Sequence, residues 1–581
     1  MTPKELLFEL LKKDGRPDRQ LNNFEAFKFV GDPVGAYLRG NRKKGTRYLD
    51  RWGVTYDFPE DAPGAMPIST PDVRVLKDIT CWRDQVKAPD ISSNCTEGWE
   101  EARARAEEVC GDAYLSTAMM VTGVFETLHN LMGFEDTLTA FYEHPAEMHE
   151  LIDYITDYRL EYEKMLVENL HPDAVLAHDD WGTKDTLFMH PEIWREFFKE
   201  PYRRLYSYLR ENGVIVIHHA DSYLAPIVED MAEIGINVWQ GVLPENDIPA
   251  LQYRLDGSMI LMGGIGAAID REDSTEEEIR SYVRTVLENC CPGGHYIPCV
   301  TQGGPASIFP HVFPIIEDEI RKYNSILHIN APRRPEPLHR AANQERASAE
   351  TETKTAEKKE TEVSVLDKLA DSLRKGRNRA VLNGVSEALE KGFDPQTIIS
   401  DGLIRGMMLL GEDFTASRAF VPEMLVAAKC MTSALDILKP LLKDDTLTKK
   451  GRICLGTVKG DMHDIGKNLV KIMLEGGGFE VVDLGVDVPA ERFVETAIEE
   501  KCDIIACSAL LTTTMSEMKR VVDLAKESGI RDSVKIMVGG APVTQAFCDE
   551  IGADGYADDA AQGVLLAERL MNNRKHTTSG S

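Results

Sequence analysis

Gly460-Asp461-Met462-His463-Asp464-Ile465-Gly466-Lys467 stands directly behind the apolar run at 452–458. After Gly466, 41 residues lead to Ser508-Ala509-Leu510, behind the apolar run at 503–506. Another 28 lead from Leu510 to Gly539-Gly540, behind the run at 535–538. With a further run at 480–484, these stretches read as buried strands separated by helices, the pattern of a small doubly wound α/β domain. A histidine between carboxylates on a loop is usually ordinary polar surface; the joint spacing of the three motifs makes this one specific.

The arrangement resembles the DxHxxG–SxL–GG signature of the methionine synthase class of corrinoid-binding proteins, and the likeness covers about 363–567. It implies that His463 is the lower ligand to the cobalt of a cobalamin or related corrinoid. Asp461 would hold the other ring nitrogen, fixing the tautomer and taking up charge. Thr514 stands where the class often has a serine completing this relay; its hydroxyl can serve. Gly466, Ser508, Gly539 and Gly540 would let the nucleotide tail lie against bare backbone, and Asp464, Leu510 and Thr512 join the expected binding set. Helical spacing over 363–447 matches the helical cap of such modules, with the α/β domain at 448–575. Within the cap, Phe420 and Met424 are candidates to face the corrin, although any one of these side chains more often belongs to bundle core.

Upstream, residues 331–362 hold almost no large apolar side chain and read as a flexible linker. At about 32 residues its reach is on the order of 30 Å. Before it, residues 1–330 carry strand-like runs at 174–178, 214–217, 236–239, 259–262 and 296–298, each ending in polar or glycine-rich residues. Strands alternating with helices predict a parallel sheet, and the number of units favours a TIM barrel with its active site at the strand C-terminal ends.

Ala177-His178-Asp179-Asp180-Trp181-Gly182, His219-Ala220-Asp221-Ser222 and Gly294-His295-Tyr296-Ile297-Pro298-Cys299 make this part similar to the uroporphyrinogen decarboxylase superfamily. That superfamily holds porphyrin decarboxylases and zinc-dependent methyltransferases working with corrinoid proteins. A decarboxylase has no use for cobalt, so the fusion implies a methyltransferase; the domain order resembles the fused methyl halide:corrinoid methyltransferases. His219 and Cys299 then match two zinc ligands, while Asp221 replaces the expected cysteine. A carboxylate makes a harder site, suited to polarising an oxygen leaving group. Two alternatives are open here: zinc on His219, Asp221 and Cys299, or no metal, with His219 and Asp221 hydrogen-bonding substrate. His178, Asp179 and Asp180 follow a strand directly and include a candidate general acid, beside the alternative of a helix N-cap before 183–188. Gln240 and Gln302 are candidates for orienting substrate. A second metal set, Glu135, Glu150 and His171, falls in apparent helices and is set aside.

Composition bounds the rest. At 581 residues the chain needs more than one core. A formal charge of −30 repels phosphate backbones and anionic lipid, so neither nucleic acid nor membrane is an expected partner. The 11 scattered cysteines and the absence of a signal peptide point to a cytoplasmic protein. The expectation is a methyltransferase that moves a methyl group from a small methylated substrate to its own tethered Co(I) corrinoid, in one-carbon metabolism. An aryl methyl ether leads, ahead of a methyl halide or methylamine. An acceptor methyltransferase using tetrahydrofolate or a thiol, and a reductive activator of the corrinoid, are the implied partners. From another class, the chain would be a corrinoid-binding sensor or carrier without this activity, or a porphyrin-binding decarboxylase fused to a carrier.

Overall fold

The computed structural model describes the chain apart from residues 41, 61–63, 302–307, 328–363, 417, 442–449, 462–464, 511–513, 541, 559 and 579–581. His463, Asp464, Thr512, Gln302 and the expected linker at 331–362 lie outside the described residues. The chain divides into two compact units, Met1–Thr355 and Ala356–Ser581.

The first unit is built on seven parallel strands: β1 (Phe27–Val30), β5 (Leu115–Met120), β6 (Ala174–His178), β7 (Ile215–His219), β8 (Val238–Val242), β9 (Ile260–Ile265) and β10 (Tyr296–Val300). They lie side by side in chain order. An antiparallel trio, β2 (Thr46–Leu49), β3 (Thr55–Phe58) and β4 (Met66–Ile68), is inserted after β1 as a separate sheet. The curved sheet returns on itself at Asn23, whose N–H donates to the Pro298 carbonyl at 3.0 Å and whose Oδ1 accepts from Val300 N–H at 3.0 Å. This closure makes a barrel.

Register decides which side chains enter it. His178 pairs with His219, His219 with Gln240 and Gln240 with Met262, so these four share one face. The alternate residues point outward: His218 and Trp239 are fully buried, and His218 bonds the Tyr206 hydroxyl of the helix Glu200–Glu211 at 2.8 Å. The face carrying His178 is therefore the inner one.

The second unit opens with helices, Val365–Arg374 first and Val421–Leu438 the longest. Five parallel strands follow: β11 (Arg452–Val458), β12 (Glu480–Val488), β13 (Ile504–Ser508), β14 (Lys535–Gly539) and β15 (Gly555–Ala557). Their order is β12-β11-β13-β14-β15. The order reverses between β11 and β13, and such a switch opens a ligand crevice at the strand C-terminal ends. Cys454, Cys502, Cys507 and Cys548 pack with Phe493, Ile505 and Val522 in one apolar core, behaving as small hydrophobes. Among the described residues no helix is long and apolar enough to cross a membrane.

Candidate functional site

At the mouth of the barrel, β5 runs through Thr122 and Gly123 into the helix Val124–Met132. That turn delivers Glu126 to the end of β6. Glu126 Oε2 accepts from His178 Nδ1 at 2.9 Å and from Gly123 N–H at 3.2 Å. The opposite ring nitrogen, Nε2, lies 3.9 Å from Asp180 Oδ2. Asp180 is held through its other oxygen by Asp221 N–H at 3.1 Å and the Ser222 hydroxyl at 3.3 Å. The His178 and His219 rings stack at 4.7 Å, and His219 Nδ1 is bonded to Gln240 Oε1.

Charge in this cluster is mutually balanced. Burial pushes the His178 imidazolium down, but the hydrogen bond and charge of Glu126, with Asp180 behind it, outweigh this and hold it up at about 9. Burial raises Glu126, and His178 more than reverses that. Asp180 and Asp221 are raised, each by burial first. His219 is lowered, by burial and then by the charge on His178.

Two expectations are corrected. Asp179 is turned away to other partners: it is 1 % exposed and accepts from Phe125 N–H at 3.0 Å, Glu126 N–H at 2.9 Å, Trp181 Nε1 at 3.0 Å and the Tyr202 hydroxyl, while burial raises its pKa to about 7. A carboxylate under four donors at the N-terminus of the helix Val124–Met132 is that helix's cap. The cap expected before 183–188 has no helix there, since Gly182 and Leu187 form an isolated bridge.

The set His219, Asp221 and Cys299 does not assemble as three ligands either. Among the described residues, the His/Cys/Asp/Glu group whose ligand atoms converge is Glu126, His178 and Asp180, all within 4.8 Å of one another. Cys299 is fully buried on β10; burial drives its thiol far up, with only a small opposing pull from Gln240. Glu150, of the set put aside, is paired with Arg83 at 2.7 Å. Glu126 went unread in the sequence. Its one signal there is position, three residues past a glycine where a strand turns into a helix.

Gly123 shows how tightly this corner is packed. A Cβ there would lie 2.1 Å from Asp179 Cγ, and four donors prevent that carboxylate from moving. Gly123→Ala is expected to destabilise the barrel by about 3 kcal/mol, combining overpacking with loss of the cap. Urea unfolding of the two proteins checks this.

In the second unit, Asp461 is fully buried and accepts from Leu510 N–H at 2.7 Å and from the Thr514 hydroxyl at 3.1 Å. The threonine thus reaches the aspartate that the resemblance pairs it with. Across the strand ends Thr457, Ser508, Gly539 and Ala557 lie in one register row, a floor of small side chains. Among the described residues a Cβ on Gly466 would meet nothing within 4 Å, whereas one on Gly540, at φ +124°, would lie 1.9 Å from the Ala509 carbonyl oxygen. Open space above Gly466 and a bare backbone floor fit a flat, extended ligand tail. Leu510 is 44 % exposed at the same edge, while Phe420 and Met424 are buried.

Fold and cradle together define a B12-binding module joined to an α/β barrel. B12-binding domain families match residues 451–565 and 365–439, and the uroporphyrinogen decarboxylase family matches 47–322. Dimethylamine corrinoid protein 1 of Methanosarcina acetivorans is 45% identical over 209 residues, which are 36% of this chain and 97% of that protein. Trimethylamine corrinoid protein 1 of the same organism is 44% identical over the same shares. The methanol:cobalamin methyltransferase complex of Methanosarcina barkeri is 31% identical, covering 36% of this chain and 81% of that one, with a TM-score of 0.34. Through its second unit the chain belongs to the corrinoid proteins, and its cofactor is a corrinoid.

Proposed function

We propose that the chain is a methyltransferase that passes a methyl group from a small donor bound in the barrel to the corrinoid of its own second unit. The observation that carries this is the polar cluster Glu126, His178 and Asp180 at the barrel mouth, in a chain that also holds a corrinoid cradle. When bound, the corrinoid supplies the cobalt that receives the methyl group. What the barrel must add is stabilisation of the group left behind, because the oxygen or nitrogen that loses its methyl group keeps the bonding electron pair. The Glu126–His178–Asp180 cluster is the place for that charge. His219 and Gln240, bonded to one another beside it, orient the donor. In the second unit His463 would hold the cobalt, and Asp461, which accepts from Thr514, would support it.

The donor is read as an aryl methyl ether. Phe29 and Met119, on the inner face by register, are 42 % and 43 % exposed, an apolar wall beside the polar cluster that suits an aromatic ring. A methylamine is the second reading: Glu126, Asp180 and Asp221 make an acidic mouth, and the corrinoid relatives are named for di- and trimethylamine. Tethering raises the effective concentration of one reactant at the other. An acceptor methyltransferase and a reductive activator complete the cycle.

The test uses the full chain loaded with hydroxocobalamin and reduced anaerobically. Methoxyaromatics, methylamines and chloromethane are added separately while corrinoid absorbance is followed. Conversion by methoxyaromatics alone is expected. A corrinoid that stays loaded yet responds to no donor would leave a carrier or sensor without this activity.

A further inference from the structure

We infer that Glu126, His178 and Asp180 form a divalent metal site of nitrogen and oxygen ligands at the barrel mouth, distinct from the thiol-containing set His219, Asp221 and Cys299. Each of the three residues brings one ligand atom to within 4.8 Å of the others. They are half-buried, near enough to the surface for an ion to enter and deep enough for it to be held. Once His178 gives up its proton to act as a ligand, two carboxylates flank a neutral imidazole and leave negative charge that a divalent cation neutralises.

The surrounding bonds already direct these groups. Asp221 N–H and the Ser222 hydroxyl both take Asp180 Oδ1, which turns Oδ2 toward His178 Nε2. Gly123 N–H and His178 Nδ1 both take Glu126 Oε2, leaving Oε1 without a hydrogen bond among the described residues. Oriented ligands with supporting hydrogen bonds are what separates a built metal site from a chance cluster. Three protein ligands leave coordination positions for substrate, as catalytic zinc sites do. The alternative set does not converge in this way: among the described residues the group whose ligand atoms come together is the one above, and Cys299 is fully buried.

Carboxylate and imidazole donors without sulfur select a borderline-to-hard cation, such as Zn²⁺. Such an ion is a stronger Lewis acid than one bound by thiolates, and it would polarise an ether or alcohol oxygen in the donor. This deepens the proposed function and rests on it for the ion's purpose, but not for its place.

Zinc binding by the full chain, corrinoid-loaded, is the test, read by metal content and by the zinc-edge X-ray absorption spectrum. One zinc per chain is expected, with a shell of nitrogen and oxygen only. Glu126→Gln, His178→Gln and Asp180→Asn should each weaken zinc binding by at least about tenfold, while Cys299→Ser leaves it unchanged. Thermal unfolding and corrinoid content of each variant separate lost ligation from lost fold, and Asp180→Asn, which keeps the shape of a partly exposed side chain, guards against a variant that fails to fold. A sulfur scatterer at about 2.3 Å, loss of zinc in Cys299→Ser, or no zinc in the wild type each overturns the site. Zinc bound here with no methyl transfer from any donor would sink the proposed function and leave the site standing. Methyl transfer by a zinc-free chain would do the reverse.

Discussion

Methyl transfer from the donor is expected to fall about 10³-fold in His178→Ala, with corrinoid content unchanged; residues that stabilise a leaving group contribute on the order of 10²–10⁴-fold. His178 is held from both sides, by Glu126 at 2.9 Å and by Asp180 at 3.9 Å. Removing the imidazole leaves two carboxylates facing one gap, so the charge that the site is built to accept meets repulsion instead. Whether the site works through a cation or through His178 itself, the direction is the same. Cys299→Ser should cost less than tenfold, because its thiol is fully buried and stands outside the group whose ligand atoms converge among the described residues. Stopped-flow spectroscopy of the reduced, corrinoid-loaded variants reads both rates. If Cys299→Ser falls as far as His178→Ala, leaving-group chemistry belongs to the β7–β10 side of the mouth. Corrinoid loss in His178→Ala would instead point to a folding defect.

Strand positions were legible in the sequence, but strand ends were not, and the reason bears on the site. Apolar runs at 214–217, 236–239 and 259–262 predict strands that stop before His218, Gln240 and Gly263. The structure extends β7 to His219, β8 to Val242 and β9 to Ile265. Polar and glycine residues that read as loop are the last rungs of the barrel, where register places His178, His219 and Gln240 side by side. A functional site is where local pattern and fold disagree, because residues chosen for chemistry occupy positions that packing alone would make apolar. β5 was missed for a related reason: Leu-Ser-Thr-Ala-Met-Met has Thr117 as its one β-branched residue and little of the bulk that marks a strand. With β5 unseen, the turn after it and Glu126 were unseen too. The corrinoid module was read more fully because its three motifs sit at fixed spacing on one small sheet. Asp179 shows the limit of reading a site residue by residue. It stands between His178 and Asp180, yet the half-turn of the chain there sends it outward to cap a helix that begins more than fifty residues earlier in sequence.

Corrinoid retention should separate Gly540→Ala from Gly466→Ala in a way that exposes what each glycine is for. At Gly540 the backbone is left-handed, at φ +124°, and a methyl group would lie 1.9 Å from the Ala509 carbonyl oxygen. That carbonyl cannot yield without moving Leu510, whose N–H holds Asp461 at 2.7 Å. Strain and overpacking together are expected to cost the second unit about 3 kcal/mol and to abolish retention through the fold. Gly466 stands in the first turn of the helix Ile465–Gly476, where an added methyl meets nothing within 4 Å among the described residues. Alanine there should leave the unit as stable, or steadier by up to about 1 kcal/mol from helix propensity. A fall in corrinoid affinity of tenfold or more in this variant is then explained only by the ligand itself occupying that space. Denaturant unfolding without corrinoid, beside equilibrium binding of hydroxocobalamin, gives both quantities for both proteins. Gly466→Ala binding as tightly as the wild type would move the nucleotide tail away from this helix, and with it the part of the cradle inferred from Gly466.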